Sequence, residues 1–260
     1  MRRVLSFALG ALLLLAGPAR AYELLRVDNN PCGDKQNLFW PSRTATVDSS
    51  FLAAPFGSYA DTAEARWNSA VSSFQFRSGG GDFCNPSDGI TSMGFSSTVC
   101  DGSGFGDAVS VTIYRFNAGT GAFADADVTF STADAALQDQ ALFTQIAMHE
   151  LGHVLGLAHS DACGGSGHGT LMQTVTPLNE PRLTSPSADD IAGAKAIYPA
   201  ENVSVPPGGN SCAIAPAGVP WSPALELLLM PLLWAGNRLR RNQERVTRNG
   251  CNQGRVMGNG

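Results

Sequence analysis

Apolar residues follow three different patterns along this chain. The first is a mostly apolar run over residues 4–16, interrupted by Ser6 and Gly10, behind Met1-Arg2-Arg3 and ahead of Gly17-Pro18 and Ala19-Arg20-Ala21. A basic start, a short apolar core and a small-x-small site together predict a secretory signal peptide over residues 1–21. The run is too short for a membrane span. The second pattern is alternation. Val109, Val111 and Ile113 alternate with Ser110, Thr112 and Tyr114, which predicts a half-buried strand over 109–116. A turn at 117–121 and a second arm over 123–130 complete a hairpin. Shorter strands are predicted at 44–47, 74–77 and 90–95, the last inside a Gly/Ser/Asp-rich loop over 78–107. The third pattern has helical period. Ala65, Trp67, Ala70, Val71 and Phe74 mark a helix over 61–74, and a longer one runs over 137–155 and stops at Gly156. A last helix covers 187–198, with Ser187 as N-cap, Asp189 and Asp190 in its first turn and Pro199 closing it. A helix and short strands, then a hairpin, then two helices, make one α+β domain with a mixed sheet over 22–200. Residues 201–211, with Pro206-Pro207-Gly208-Gly209, read as a linker.

Export changes how the six cysteines are read, because disulfides persist in an oxidising compartment. No CxxC pair occurs, which argues against a cysteine zinc ribbon or a thioredoxin-type site. Cys84 and Cys100 flank a short segment and form the natural local bridge; Cys32 and Cys163 are a candidate second pair. Charge narrows the partners. Residues 22–200 hold 19 Asp/Glu against 8 Lys/Arg, a formal balance of −11. That leaves no basic face for a nucleic acid. Some of these carboxylates are candidates for calcium, although no EF-hand spacing is present.

The chemistry is concentrated at His149-Glu150-Leu151-Gly152-His153. Two histidines four apart on a helix share one face, so both imidazoles can reach one metal ion. Gly156 and His159 complete HExxHxxGxxH. A third ligand further along a straight helix would rotate off that face. A glycine with φ > 0 ends the helix and lets His159 return to the metal, leaving a fourth position for water. Three of the chain's four histidines fall on motif positions. The fourth, His168, sits in a Gly-rich loop and reads as solvated.

These residues resemble the matrixin branch of the metzincins, including its bacterial secreted members. The resemblance rests on the histidine motif with Met172 downstream as the Met-turn methionine, and on Ser160 directly after the third histidine. It also rests on Thr144-Gln145-Ile146-Ala147-Met148, on Ala126-Asp127-Val128-Thr129-Phe130, and on Asp189-Asp190-Ile191 running to Ile197-Tyr198-Pro199, and it covers residues 38–199. No Tyr closely follows Met172, unlike the astacin and serralysin branches. The resemblance implies a metzincin-like, mostly parallel twisted sheet with an antiparallel edge strand, an active-site helix carrying HExxH and a C-terminal helix.

It also implies a zinc endopeptidase. His149, His153 and His159 would hold one catalytic Zn2+, and Glu150 would take a proton from the attacking water and pass it to the leaving amine. Met172 would pack beneath the metal. The 109–116 strand would pair with extended protein or peptide substrate, and Val175, Thr176, Pro177 and Leu178 would line the pocket for the residue after the cut. The chain departs from vertebrate matrixins in one respect: with only His168 to spare, it lacks the histidines for a second, structural zinc. Pro31-Cys32-Gly33 faintly echoes the family's cysteine switch, but it lies ten residues from the signal cleavage site, and a disulfide is favoured for Cys32.

Past the linker, Cys212, an apolar stretch over 214–236 and Arg238, Arg240 and Arg241 resemble a tripartite cell-surface sorting signal. Pro216, Pro220, Pro223, Pro231 and Glu226 make this a poor membrane span, and the chain continues past the arginines. The expectation is a secreted monomer, with transient envelope or membrane association through residues 212–260. Two alternatives stand beside the peptidase: a zinc-stabilised extracellular binding or adhesion module without catalysis, and a zinc hydrolase of a non-peptide substrate. Glu150 separates the first alternative from an enzyme, because a structural site has no use for it and prefers four protein ligands.

Overall fold

The computed structural model describes residues 22–177 and 180–200 in full and residues 251–258 as backbone. The signal peptide, linker, apolar stretch and arginine cluster expected from the sequence lie outside the described residues. In chain order the elements are β1 (Glu23–Leu24), β2 (Thr44–Asp48), α1 (Phe56–Ala70), β3 (Gln75–Ser78), β4 (Ile90–Ser96), β5 (Ser110–Asn117), β6 (Phe123–Ser131), a 3-10 turn (Ala135–Gln138), α2 (Gln140–Leu155), β7 (Leu157–Ala158), α3 (Ala188–Ile197) and β8 (Cys251–Gly258).

Six strands form one mixed sheet in the order β3-β2-β4-β6-β5-β8. β2 is parallel to β3 and β4, and β4 is parallel to β6. β5 runs antiparallel to β6 on one side and to β8 on the other. The α+β class and the mostly parallel sheet agree with the sequence reading. The position of β5 does not. It was expected at the edge, and β8 lies outside it. Residues 251–258 carry no alternating apolar signal, so nothing local marks them as a strand. They pair because an uncovered β5 would present a row of unsatisfied N–H and C=O groups.

Helix boundaries moved for identifiable reasons. α1 begins and ends before the expected 61–74 span. The Asn68 side chain accepts from Phe76 N at 2.7 Å and donates to Phe76 O at 2.9 Å, which turns the chain back into β3. Val71 and Phe74 are buried beyond the helix rather than on it. The expected 137–155 helix is interrupted. Asp134 caps the 3-10 turn through Ala136 N, and Asp139 then caps α2 through Leu142 N at 2.8 Å. Each aspartate satisfies an amide that a helix start leaves open. Ser187 and Asp190 form a reciprocal capping box on α3.

The main core gathers α1, α2 and the sheet around Trp67, Phe130, Phe143 and Met148. Phe143 of α2 packs against Phe56, Phe95 and Phe130 with ring centroids 5.0, 5.7 and 4.8 Å away. The C-terminal carbonyls of α2 also find donors. Trp40 Nε1 donates to Val154 O at 2.8 Å and Tyr198 Oη to Leu155 O at 3.0 Å. These side chains come from opposite ends of the domain and hold the helix end that a lone helix leaves unsatisfied.

β5 is buried on both faces, contrary to the half-buried strand expected. Val111 and Ile113 pack with Val99, Phe105 and Ala108 in a separate small core beneath the loop that precedes the strand. Ser110, Thr112 and Tyr114 face the other way and are equally buried. Polarity alternates along this strand without any matching alternation in exposure.

Candidate metal centre

His149 and His153 stand one turn apart on α2, and His159 follows the short strand β7. The chain returns because Gly156 closes α2 at φ 118°, its N–H shared by Gly152 O and His153 O. A side chain could not replace it cheaply: a Cβ there would sit 3.0 Å from Leu38 O and from Ile197 Cδ1. β7 then pairs antiparallel with β1, which fixes the approach of His159. Candidate ligand atoms of the three histidines lie within 4.8 Å of one another.

The rings are oriented from outside the cluster. His149 Nδ1 lies 2.8 Å from Leu171 O and His153 Nδ1 lies 2.8 Å from Leu157 O. A carbonyl can only accept, so each Nδ1 carries the hydrogen and each Nε2 keeps its lone pair. The two Nε2 atoms face each other at 3.0 Å. Burial, with His149 and His159 close by, holds the His153 pKa far below its usual value, so this imidazole is neutral. Three imidazoles whose candidate ligand atoms lie this close together, the first two braced at Nδ1, suit a zinc site with one open position.

Glu150 points to the sheet. It is fully buried, with Oε1 accepting from Ser110 Oγ at 2.6 Å and Oε2 from Thr112 Oγ1 at 2.5 Å. Burial raises its pKa, against the opposing pull of His149 and the two hydroxyls. Each carboxylate oxygen keeps a further lone pair. Ser110 and Thr112 were not among the residues singled out from sequence. Their alternation was visible, but their direction was not.

Met172 packs under α2: a Cβ on Gly152 would collide with its Sδ and lie 3.3 Å from Trp67 Cζ2. Its position is set by Asp190, which was read only as a helix-dipole residue. Asp190 accepts from Leu171 N at 2.9 Å, Met172 N at 3.2 Å and Ser187 N at 2.7 Å. One carboxylate thus joins the α3 cap to the turn that holds both Met172 and the Leu171 carbonyl beneath His149. Ser160 N donates to Met172 O at 2.8 Å and ties the third histidine's loop to the same turn.

The expected disulfide partners are joined, Cys32 with Cys163 and Cys84 with Cys100. The first fastens the N-terminal segment to the loop after His159. His168 is exposed and lies outside the histidine cluster. Of the expected pocket residues, Val175 is exposed, Thr176 buried and Pro177 half-buried, while Leu178 lies outside the described residues. A cavity of about 520 Å³ opens instead beside Val109, Asp107 and Ser131, next to the Ser110 end of β5.

Residues 91–199, from β4 through α3, match the family model described as Matrixin. The match supports a metzincin-type domain, the class defined by the extended histidine motif with a methionine turn. Within that class the match points to the matrixin family, whose members are zinc metallopeptidases. No curated protein matches the chain. Among solved structures, the chain is similar to one titled "GM1 bound form of the ECX AB5 holotoxin" at 14% identity and a TM-score of 0.40, covering 62% of this chain and 84% of that one. A likeness that distant carries no argument about fold or function.

Proposed function

We propose that this chain is an exported zinc-dependent endopeptidase, with His149, His153 and His159 as ligands of a single zinc and Glu150 as general base. The observation that carries the reading is the Glu150 carboxylate. It sits one residue from the first histidine and is held between two hydroxyls of β5. A metal site that only braces the fold has no use for such a group.

Zinc, when bound, supplies a Lewis acid toward water and the scissile carbonyl. The chain's residues do the rest. His149 and His153 present their Nε2 atoms, with the rings held at Nδ1 by Leu171 O and Leu157 O. Glu150 takes a proton from the attacking water and passes it to the leaving amine. Ser110 and Thr112 keep the carboxylate aimed. Val175, Thr176 and Pro177, with Leu178 outside the described residues, are assigned to the pocket after the scissile bond on the matrixin resemblance alone. Residues 1–21 direct export, which accords with two disulfides, and residues 212–260 bear on where the exported protein resides.

The test is hydrolysis of an unfolded protein by the purified chain, with and without a chelator, beside a metal analysis. The expected result is chelator-sensitive cleavage with about one zinc equivalent per chain. Zinc bound at full occupancy without any cleavage after release of the C-terminal strand described next would favour a non-catalytic binding module.

A further inference from the structure

β5 is the strand whose side chains hold Glu150, and its outer backbone edge is occupied. β8 pairs with it over its whole length, from Ser110 opposite Gly258 to Asn117 opposite Cys251. Cα atoms of β8 also come within 8 Å of α2, the helix that carries His149, Glu150 and His153. The pairing is antiparallel, so β8 enters at the Asn117 end and runs toward Ser110 and Thr112, the two residues that touch the Glu150 carboxylate.

An extended peptide can add to a sheet only through free N–H and C=O groups at its edge. Along this side of β5 those groups face β8. Neighbouring strands lie about 4.8 Å apart, so no second strand fits between them. The other side of β5 is closed by β6. A peptide approaching the strand that carries the Glu150 contacts must therefore displace β8. Because β8 belongs to the same chain, its competition is intramolecular and does not dilute away.

We propose that the C-terminal strand Cys251–Gly258 is an autoinhibitory segment that occupies the substrate edge of β5, and that its departure opens the active site. This rests on the peptidase reading above. While β8 is docked, the site is incompetent for an extended peptide. The apparent KM is raised by the reciprocal of the undocked fraction, while kcat, measured at saturating substrate, is unchanged. Proteolytic removal of the segment, or its capture by another surface, would each activate the enzyme without altering a residue of the metal centre.

The test uses the full-length chain and the double variant Arg255→Pro/Val256→Pro. Adjacent prolines remove two consecutive N–H groups, so whichever one faces β5 is lost. Gly254→Pro serves as a second, independent variant. Two quantities are read for each protein: amide exchange of Ser110–Asn117, and KM and kcat on an unfolded protein substrate. The expected outcome is faster exchange along β5 with an apparent KM lowered about tenfold or more at unchanged kcat, and reversal on adding a peptide of residues 249–260. Unchanged exchange in both variants would show that the strand does not hold β5 and would overturn the proposal. Accelerated exchange with unchanged KM would overturn it while leaving the peptidase reading intact. Accelerated exchange with no hydrolysis by any of the proteins would overturn the peptidase reading, and the proposal with it.

Discussion

The metal centre has two halves that reach the same point by different physics. The helical half, His149, Glu150 and His153, takes its spacing from the geometry of α2, and contacts from Leu171, Leu157, Ser110 and Thr112 only orient the side chains. The returning half runs from Gly156 through β7, His159, Ser160 and the Leu171-Met172 turn. It has almost no regular structure and is placed by hydrogen bonds from elsewhere: Leu171 and Met172 from Asp190, Ser160 from Met172, β7 from β1. A helix holds its side chains through its own backbone ladder, whereas a loop holds them only as firmly as its outside partners do. The difference teaches that the helical half should fail by chemistry when mutated, and the returning half by affinity and stability.

The sharpest way to break the comparison is Glu150→Ala, assayed with β8 released. Zinc and fold are expected to persist while peptide hydrolysis falls by about 10²–10⁴-fold. Turnover near the wild-type level would give Glu150 another task. Asp190→Asn addresses the returning half. An amide can accept through only one of its two arms, so at least one of the Leu171, Met172 and Ser187 N–H groups loses its partner. Competition with a chelator is expected to show zinc affinity weakened about 10–100-fold, with the fold destabilised by about 1–3 kcal/mol. An unchanged zinc affinity would show that the Met-turn does not depend on this carboxylate. Ser110→Ala/Thr112→Val joins the halves through β5. Losing both donors to Glu150 is expected to lower kcat about tenfold, within the usual range for aiming a general base, at unchanged zinc content. A loss confined to KM would argue that the hydroxyls serve substrate binding instead.

The smallest effect is a control on α1, outside both halves. Burial, reinforced by Asp61, pushes Glu64 on α1 up to about 7. A carboxyl raised in the folded state contributes stability that is complete below its unfolded pKa of about 4.3 and is lost as pH rises through about 7. Asp125, at about 7 through burial and its neighbour Asp127, acts in the same direction. Thermal unfolding is therefore expected at a lower temperature at pH 8 than at pH 5. Glu64→Gln should narrow that gap by on the order of 1 kcal/mol, without touching zinc content. An unchanged gap would mean that Glu64 is solvated in the folded protein.

Much of the site could be read from spacing, because the helical half is a local property. Four residues make about one turn of helix, so His149 and His153 share a face wherever that helix sits. Gly156 was legible for a similar reason: few residues other than glycine accept its backbone angle. Asp190 was harder. A first-turn acid has a sufficient local explanation as a capping residue, and its second task becomes visible only when the Leu171-Met172 turn lies against α3. Ser110 and Thr112 read as a solvent face because a strand's alternation reports two sides without saying which is wet. On β5 both sides are dry: the loop before the strand covers Val111 and Ile113, and Glu150 satisfies the hydroxyls opposite.

The sequence by itself determined the candidate metal-binding residue types, their spacing, the break in the helix and the α+β class, since each depends on backbone geometry within a few residues. The tertiary structure alone decided which face of β5 meets Glu150, what carries the Met172 turn, and what lies along the outer edge of β5. Those depend on contacts between residues far apart in the chain. Ser110 meets Glu150 across 40 residues, and β5 meets β8 across more than a hundred. A strand edge will pair with whatever backbone the fold delivers to it, because N–H and C=O groups are the same at every position.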